Sequence, residues 1–298
     1  VIDCVCALPY KSETITVVGH RAECVKDFLN KSYNTAKTVI QKEQLGTGHA
    51  VAAAVNEIGD FEGSVIILCG DTPLVQTKSL EEFIKYHNDN NCDVTVMSCI
   101  FDNPTGYGRI VRDEKNNVEK IVEQKDATEA QKQIKEINSG IYCLNWSKIK
   151  TAFSELKNNN AQGEYYLTDI IEWANNKNLK VSAWVNSQSD EIFGVNSKKH
   201  LAMAFKMMNE IHLEKLMEYG VTIYDPNSTY ISPETTIEPD TIIYPNTYIE
   251  GKNIIKSNCK IGPMAHLRGN CEIEENVKIG NFVELKNAKV AKNSHVCH

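Results

Sequence analysis

Two spacings of apolar residues divide the chain. In the first two thirds, short β-branched runs alternate with stretches whose apolar residues recur every three or four positions. Thr14–Val18 and Thr38–Ile40 read as strands, with a helix over Arg21–Leu29 between them. After a Gly-Thr-Gly turn, Val51, Val55 and Ile58 fall on one face of a second helix. Val65–Cys69 is a continuous apolar run closed by Gly70-Asp71. That is the pattern of a strand buried on both faces of a parallel sheet. A helix over Ser79–Asn88 and a strand over Asp93–Ile100 follow. The order βαβαβ predicts an α/β, doubly wound, Rossmann-like sheet with ligands at the carboxyl ends of its strands. Gly46-Thr47-Gly48 and Gly70-Asp71 both follow strands, so one crevice can hold both.

From residue 231 the spacing changes. Ile231, Ile237, Ile243, Ile249, Ile255, Ile261, Leu267, Ile273, Ile279 and Leu285 occupy every sixth position. Two positions before them stand mostly small or β-branched residues: Thr229, Thr235, Thr241, Thr247, Cys259, Ala265, Val277 and Val283. A parallel β-helix of hexapeptides repeats at six, and each turn buries its apolar edge only by stacking on the next. The pattern lapses at Ala291. Between the two regions, Ser197 caps a helix that Gly220 ends, with Leu201, Ala204, Phe205, Met208 and Ile211 in one apolar stripe. The domains are therefore placed at 1–196 and 221–298, with a linker helix over 197–220.

Composition narrows the function. The 298 residues suffice for two domains. A net charge of -7 without a large basic block excludes nucleic acid as the main partner. No apolar run is long enough to span a membrane. Local lysines and backbone N–H groups still allow a small anionic substrate. Ten cysteines, scattered through apolar runs, read as small buried hydrophobes of a reducing cytoplasm. Cys4-Val5-Cys6 and Cys297-His298 lack the paired spacing of a zinc site. The start at Val1 reads as the inside of an amphipathic helix, not a signal peptide, and VAKNSHVCH stops in mid-repeat. A fragment cut at both ends is expected.

The chemistry lies in short stretches: EQLGTGHA (43–50), CGDTPL (69–74), PTGYGRIV (104–111), EQKDA (123–127), EINSG (136–140), NNNAQGEYYLTD (158–169) and FGVN (193–196). Singly they stay ambiguous. The glycine turn reads as a helix cap or as a cradle for a ligand, and Gly70-Asp71 as a plain strand-ending turn. Arg268 and Lys286 are eighteen residues apart. If three hexapeptides form one coil they stack, either as a solvated basic ladder or as a clamp on an anion.

Together, in this order and with the hexapeptides after them, these stretches resemble the bifunctional bacterial N-acetylglucosamine-1-phosphate uridylyltransferase/glucosamine-1-phosphate N-acetyltransferase family over nearly the whole chain. The resemblance implies a Rossmann-like nucleotidyltransferase domain followed by a left-handed parallel β-helix. It implies uridylyl transfer from UTP to N-acetylglucosamine 1-phosphate with Mg²⁺, giving UDP-N-acetylglucosamine and pyrophosphate. It also implies acetyl transfer from acetyl-CoA to glucosamine 1-phosphate. The products feed cell-wall and lipopolysaccharide precursors in the cytoplasm, and the intact protein is a homotrimer. By the same resemblance Gln41, Gly46 and Thr47 contact uracil, and Cys69, Gly70 and Asp71 line the substrate. Asp71 and Asn196 bind the metal; Gly108, Glu123 and Asn138 hold the sugar. Arg268 and Lys286 hold the sugar phosphate of the second reaction, for which His298 is the general base. The other seven histidines show no ligand spacing.

The sequence departs from the family in places. Its N-terminal glycine-rich loop with an arginine, and the later lysine, which together hold the triphosphate, are not in this chain. Nor are the later coils that bind acetyl-CoA. Cys69 stands where well-known members have tyrosine, and HLRG replaces RLRP. The chain as given is expected to be impaired. The competing readings are a sugar-1-phosphate nucleotidyltransferase with a β-helix tail using ATP, dTTP or GTP, and an inactive scaffold remnant.

Overall fold

A computed structural model describes residues 1–33 and 37–298. They form two compact units, Val1–Gly194 and Val195–His298.

The first unit opens with helix α1 (Ile2–Cys6), strand β1 (Ile15–Val18), α2 (Ala22–Ser32), β2 (Lys37–Ile40), α3 (Thr47–Ile58) and β3 (Ser64–Ile67). It continues through α4 (Thr77–Asp89), β4 (Val94–Ile100), β5 (Arg109–Arg112), β6 (Val118–Val122), α5 (Glu129–Lys132) and β7 (Glu136–Asn145). Short helices α6 (Trp146–Ile149) and α7 (Ala152–Glu155), then α8 (Asp169–Asn176) and β8 (Val181–Val185), complete it. β1 and β2 pair in parallel as a separate ribbon. The main sheet runs β6-β5-β7-β4-β8, with β3 also paired to β7. It is mixed: β4 and β8 are parallel, whereas β7 runs antiparallel to β3, β4 and β5. The expectation of a fully buried, parallel Val65–Cys69 strand is therefore corrected. Val65 to Cys69 are only half-buried, because the strand pairs antiparallel on one side and has no strand on its other edge among the described residues.

β7 organises this sheet. β4 pairs along its whole length, from Glu136 to Leu144. On the opposite edge β3 covers only Tyr142–Asn145, and β5 reaches only Ile137. Two strands thus lie end to end along that edge, with β7 residues 138–141 between their ends. Gly140 sits in this gap with a positive φ of 80°. The β4 register also shifts there, between Val96 and Ser98. Leu80, Phe83, Met97 and Ile137 build the core on one side of the sheet; Trp146, Ile149, Ile170 and Ile171 build it on the other.

In the second unit, α9 (Lys198–Glu218) begins at Ser197, whose side chain caps His200 N. Helix α9 buries Ala204, Leu213 and Leu216. Leu201, Phe205 and Met208 stay more than two fifths exposed, so the expected stripe does not form the buried face. Leu213 and Leu216 belong instead to the β-helix core.

That core is the six-residue column. Ile231 through Ile279 are buried at every sixth position, and the coils pair in parallel, as in Tyr230↔Tyr248↔His266↔Glu284. The small-residue column is buried beside it, with Cys271 continuing it and Asn253 as the one place that breaks its composition. Asn253 serves as a polar bridge: its Nδ2 donates to Thr235 Oγ1 at 3.2 Å and Glu250 O at 3.0 Å, and its Oδ1 accepts from Cys271 N at 3.0 Å. The repeat does not lapse at Ala291. One turn is a residue shorter, so Glu272 pairs with Lys289 and Lys278 with His295, and Val290 takes the core position. Asn287, at a positive φ of 48°, closes that tight turn.

Candidate functional site

The gap on the edge of β7 gathers side chains from four segments. Asn138 N donates to Gly108 O at 2.9 Å, which fixes the start of β5 against β7. Arg109 pairs with Val122, so the next residue, Glu123, lies across from Gly108. Its carboxylate oxygens lie 3.3 and 3.4 Å from where a Cβ on Gly108 would be. A side chain here would make Ile121 and the carboxylate give way by a few tenths of an ångström. The Asn138 carboxamide is oriented: its Oδ1 accepts from Gly140 N at 3.0 Å and from the Tyr142 hydroxyl at 3.1 Å. Its two Nδ2 protons have no acceptor among the described residues and remain to donate. The three sugar residues expected from the sequence are thus brought together as one acceptor beside amide donors.

The other end of the gap is the exit of β3. Cys69 Sγ donates to Gly140 O at 3.5 Å. Burial, then the Asp71 charge, push its thiol up to about 11. Asp71 is exposed and has no ion pair among the described residues. It follows Cys69 by two residues, just past the exit of β3. Asn196, the other expected metal ligand, belongs to the second unit and is exposed.

The glycine turn leads into α3, with Gly46 at the N-cap position. Gln41 Nε2 donates to Gly46 O at 3.1 Å and lies 3.1 Å from His49 Nδ1, so Gln41, Gly46 and Thr47 do share one corner. The chain itself leaves these glycines no room for a side chain. A Cβ on Gly46 would lie 2.6 Å from Tyr165 O, and one on Gly48 would lie 2.7 Å from Leu156 Cδ1. Gly48 N donates to Tyr165 O, Tyr165 N to Leu45 O, and Leu167 N to Thr47 Oγ1. The EQLGTGHA and EYYLTD stretches are therefore two sides of one interlock.

Sequence reasoning missed four residues around Glu123. Arg109 is 1% exposed; it donates to Tyr107 O and, at 2.7 Å, to Gln124 Oε1, with no carboxylate ion pair among the described residues. Thr168 is 4% exposed, and its hydroxyl makes no hydrogen bond of ordinary geometry. Burial raises the proton affinity of Glu123; the nearby Thr168 hydroxyl opposes this, Asp126 and Asp169 add to it, and Arg109 opposes it. Burial, with Glu172 and Asp126, raises Asp169 to about 6. The only advance signal was the place of these residues inside PTGYGRIV, EQKDA and EYYLTD. A surface groove of about 480 Å³ lined by Asp113, Lys120, Glu172 and Lys180 shares none of the expected site residues.

On the β-helix, Arg268 and Lys286 pair in register, one coil apart. Glu250 pairs below Arg268. Arg268 Nη2 meets Glu284 Oε1 at 2.5 Å, whereas Lys286 is exposed with no ion pair among the described residues. His298 is exposed, following Cys297, whose carbonyl crosses Gly280. No group of three or more His, Cys, Asp or Glu among the described residues could hold a metal ion.

Comparison with known proteins matches this division. The nucleotidyl transferase family matches residues 10–190, and the bacterial transferase hexapeptide family (six repeats) matches 254–287. The chain is similar to the bifunctional protein GlmU of Caldanaerobacter subterraneus subsp. tengcongensis, 51% identical over 84% of this chain and 54% of that protein. It is similar to GlmU of Clostridioides difficile, 42% identical over 96% of this chain and 69% of that protein. With GlmU of Halalkalibacterium halodurans it shares 40% identity over 100% of this chain and 72% of that protein. The chain thus spans from about half to under three quarters of the length of these relatives. With most of the first unit and the hexapeptide coils of the second both matched, the chain belongs to the nucleotidyl transferase family and, within it, to the bifunctional GlmU proteins.

Proposed function

We propose that the first unit binds UTP and N-acetylglucosamine 1-phosphate for uridylyl transfer, and that the β-helix carries part of a site acetylating glucosamine 1-phosphate from acetyl-CoA. The observation that supports this most is the gap on β7, where Gly108, Glu123 and Asn138 meet the exit of β3 at Cys69-Gly70-Asp71. Sugar hydroxyls donate to the Glu123 carboxylate, and the Asn138 Nδ2 protons donate to the sugar. The Gln41 carboxamide and the Gly46-Thr47 backbone read the polar edge of uracil. Asp71 and Asn196 are the proposed Mg²⁺ ligands. A free carboxylate and an amide oxygen suit a hard cation that keeps several waters, and the bound ion neutralises phosphate charge. The remaining contribution of the chain is positioning, which holds the sugar phosphate oxygen toward the α-phosphorus.

In the second site Lys286, and Arg268 once released from Glu284, take the sugar phosphate, and His298 removes a proton from the amine. A homotrimer and a cytoplasmic location belong to the same proposal. No helix among the described residues is long and apolar enough to cross a membrane.

The test is calorimetric binding of UDP-N-acetylglucosamine together with Mg²⁺-dependent pyrophosphate release from UTP and N-acetylglucosamine 1-phosphate. Asn138→Ala is expected to weaken sugar-nucleotide binding about tenfold, the worth of a buried hydrogen bond. Asp71→Ala is expected to abolish release while leaving the fold intact. Faster turnover with ATP and glucose 1-phosphate would overturn the assignment.

A further inference from the structure

We infer that Gln124 is a positioning residue for sugar recognition, a clasp whose side-chain oxygen sets the loop that presents Gly108 to the substrate; this rests on the sugar site proposed above. Gln124 Oε1 accepts two hydrogen bonds, from Gly106 N at 3.2 Å and from Arg109 Nη2 at 2.7 Å. Arg109 also donates to Tyr107 O. The loop before Gly108 is thereby held at two successive residues, 106 and 107, by one side-chain oxygen and one buried guanidinium.

The clasp controls sugar contacts because of what adjoins it. Gly106 turns at a φ of 92°, and its backbone N–H donates to the Gln124 oxygen. Two residues later Gly108 faces the Glu123 carboxylate across a space in which a Cβ would lie 3.3–3.4 Å from the carboxylate oxygens, and its carbonyl accepts from Asn138 N. A shift of the loop moves the Gly108 carbonyl against its Asn138 N donor and changes the width of the space in front of Glu123. Gln124 is adjacent to Glu123 and Lys125, and Lys125 Nζ donates to Gln162 Oε1 at 2.7 Å. Ala161 N donates to Asp126 Oδ1 at 2.9 Å. The turn that carries Glu123 is therefore tied to one loop by Gln124 and to another by Lys125 and Asp126. The acceptor is also demanded locally. Arg109 is buried with no carboxylate partner, so neutral oxygens carry its hydrogen bonds.

The experiment uses the full chain and three variants, with dissociation constants measured calorimetrically for UDP-N-acetylglucosamine and for UTP. Gln124→Met keeps the length and bulk and removes the carboxamide, whose oxygen makes both bonds of the clasp. It is expected to raise the Kd of UDP-N-acetylglucosamine about tenfold or more while the Kd of UTP changes less than about twofold. Gln124→Glu restores an oxygen at the same reach and is expected to bring the sugar-nucleotide Kd back to within about threefold of the parent. Asn138→Ala serves as the control on the site itself. Equal weakening of both ligands, or unchanged binding in Gln124→Met, overturns the clasp. If the parent binds UDP-N-acetylglucosamine no better than Asn138→Ala does, the sugar site itself is wrong and the clasp falls with it.

Discussion

Replacing Asn253 by alanine should destabilise the β-helix selectively, and the size of the loss follows from its bonds. Asn253 is fully buried and joins three successive coils, with Thr235 below, Glu250 in its own coil and Cys271 above. Alanine strands the Cys271 amide proton, and an unsatisfied buried donor costs about 1–3 kcal/mol. The Glu250 carbonyl loses a bond with a net worth of about 1 kcal/mol. Thr235 keeps its own bond to Gly251 O at 2.8 Å and adds little. The sum is about 3 kcal/mol, or a fall in melting temperature on the order of 10–20 °C for a unit of this size. The assay separates the units without cutting the chain. All three tryptophans, Trp146, Trp173 and Trp184, lie before residue 195. Tryptophan fluorescence therefore follows the first unit, and far-ultraviolet circular dichroism adds the β-helix. Asn253→Ala should move the dichroism transition and leave the fluorescence transition in place, with exposed Lys252→Ala as a silent control. A loss below about 0.5 kcal/mol would refute the polar-bridge argument.

Other substitutions test the first unit. Gly48→Ala forces a Cβ to within 2.7 Å of Leu156 and 2.9 Å of Tyr165 O. Fluorescence-detected urea unfolding should show a loss of about 1–3 kcal/mol, as for overpacking. Asp169→Asn should stabilise the unit near pH 7 and lose that advantage below about pH 4. The folded carboxyl titrates at about 6 against an ordinary 3.8, so its protonated form is favoured by folding. That contribution is present below the unfolded value and is lost as pH rises through the folded one. An equal gain for Asp169→Asn at pH 4 and pH 7 would contradict the sign. Iodoacetamide at neutral pH should modify exposed Cys6, Cys24 and Cys297 and spare Cys69, whose thiol is pushed up to about 11. Mass spectrometry showing early labelling of Cys69 would count against its burial.

The β-helix was legible because one period governs it: a residue's place modulo six decides whether it faces the core. Its single failure, at Ala291, came from a turn shortened by one residue, which no pattern of apolar spacing announces in advance. In the first unit the run Val65–Cys69 misled, since apolar composition does not say how many neighbours a strand has or which way they run. The site stretches were readable as motifs, and Gly108, Glu123 and Asn138 do converge. Arg109, Gln124 and Thr168 were not readable, because their roles lie in pairings across chain distances that a single sequence does not display. The glycines of EQLGTGHA illustrate the same limit. Their small size was visible, but the neighbour that requires it, the backbone of Tyr165, was visible only in the fold.

The coil register has an evolutionary consequence. Between Tyr230 and Asn287 the paired columns repeat at eighteen residues, so a whole coil gained or lost there leaves each surviving side chain beside the same kind of neighbour. A single residue gained within a strand would instead turn all later core positions outward. Asn287-Ala288 shows where such a change is absorbed: at a corner, where the shortened turn resets the count and Val290 resumes the interior. Rod length is then free to drift in coil-sized steps, and features confined to two adjacent coils, such as the Arg268–Lys286 pair, travel intact with the coils that bear them.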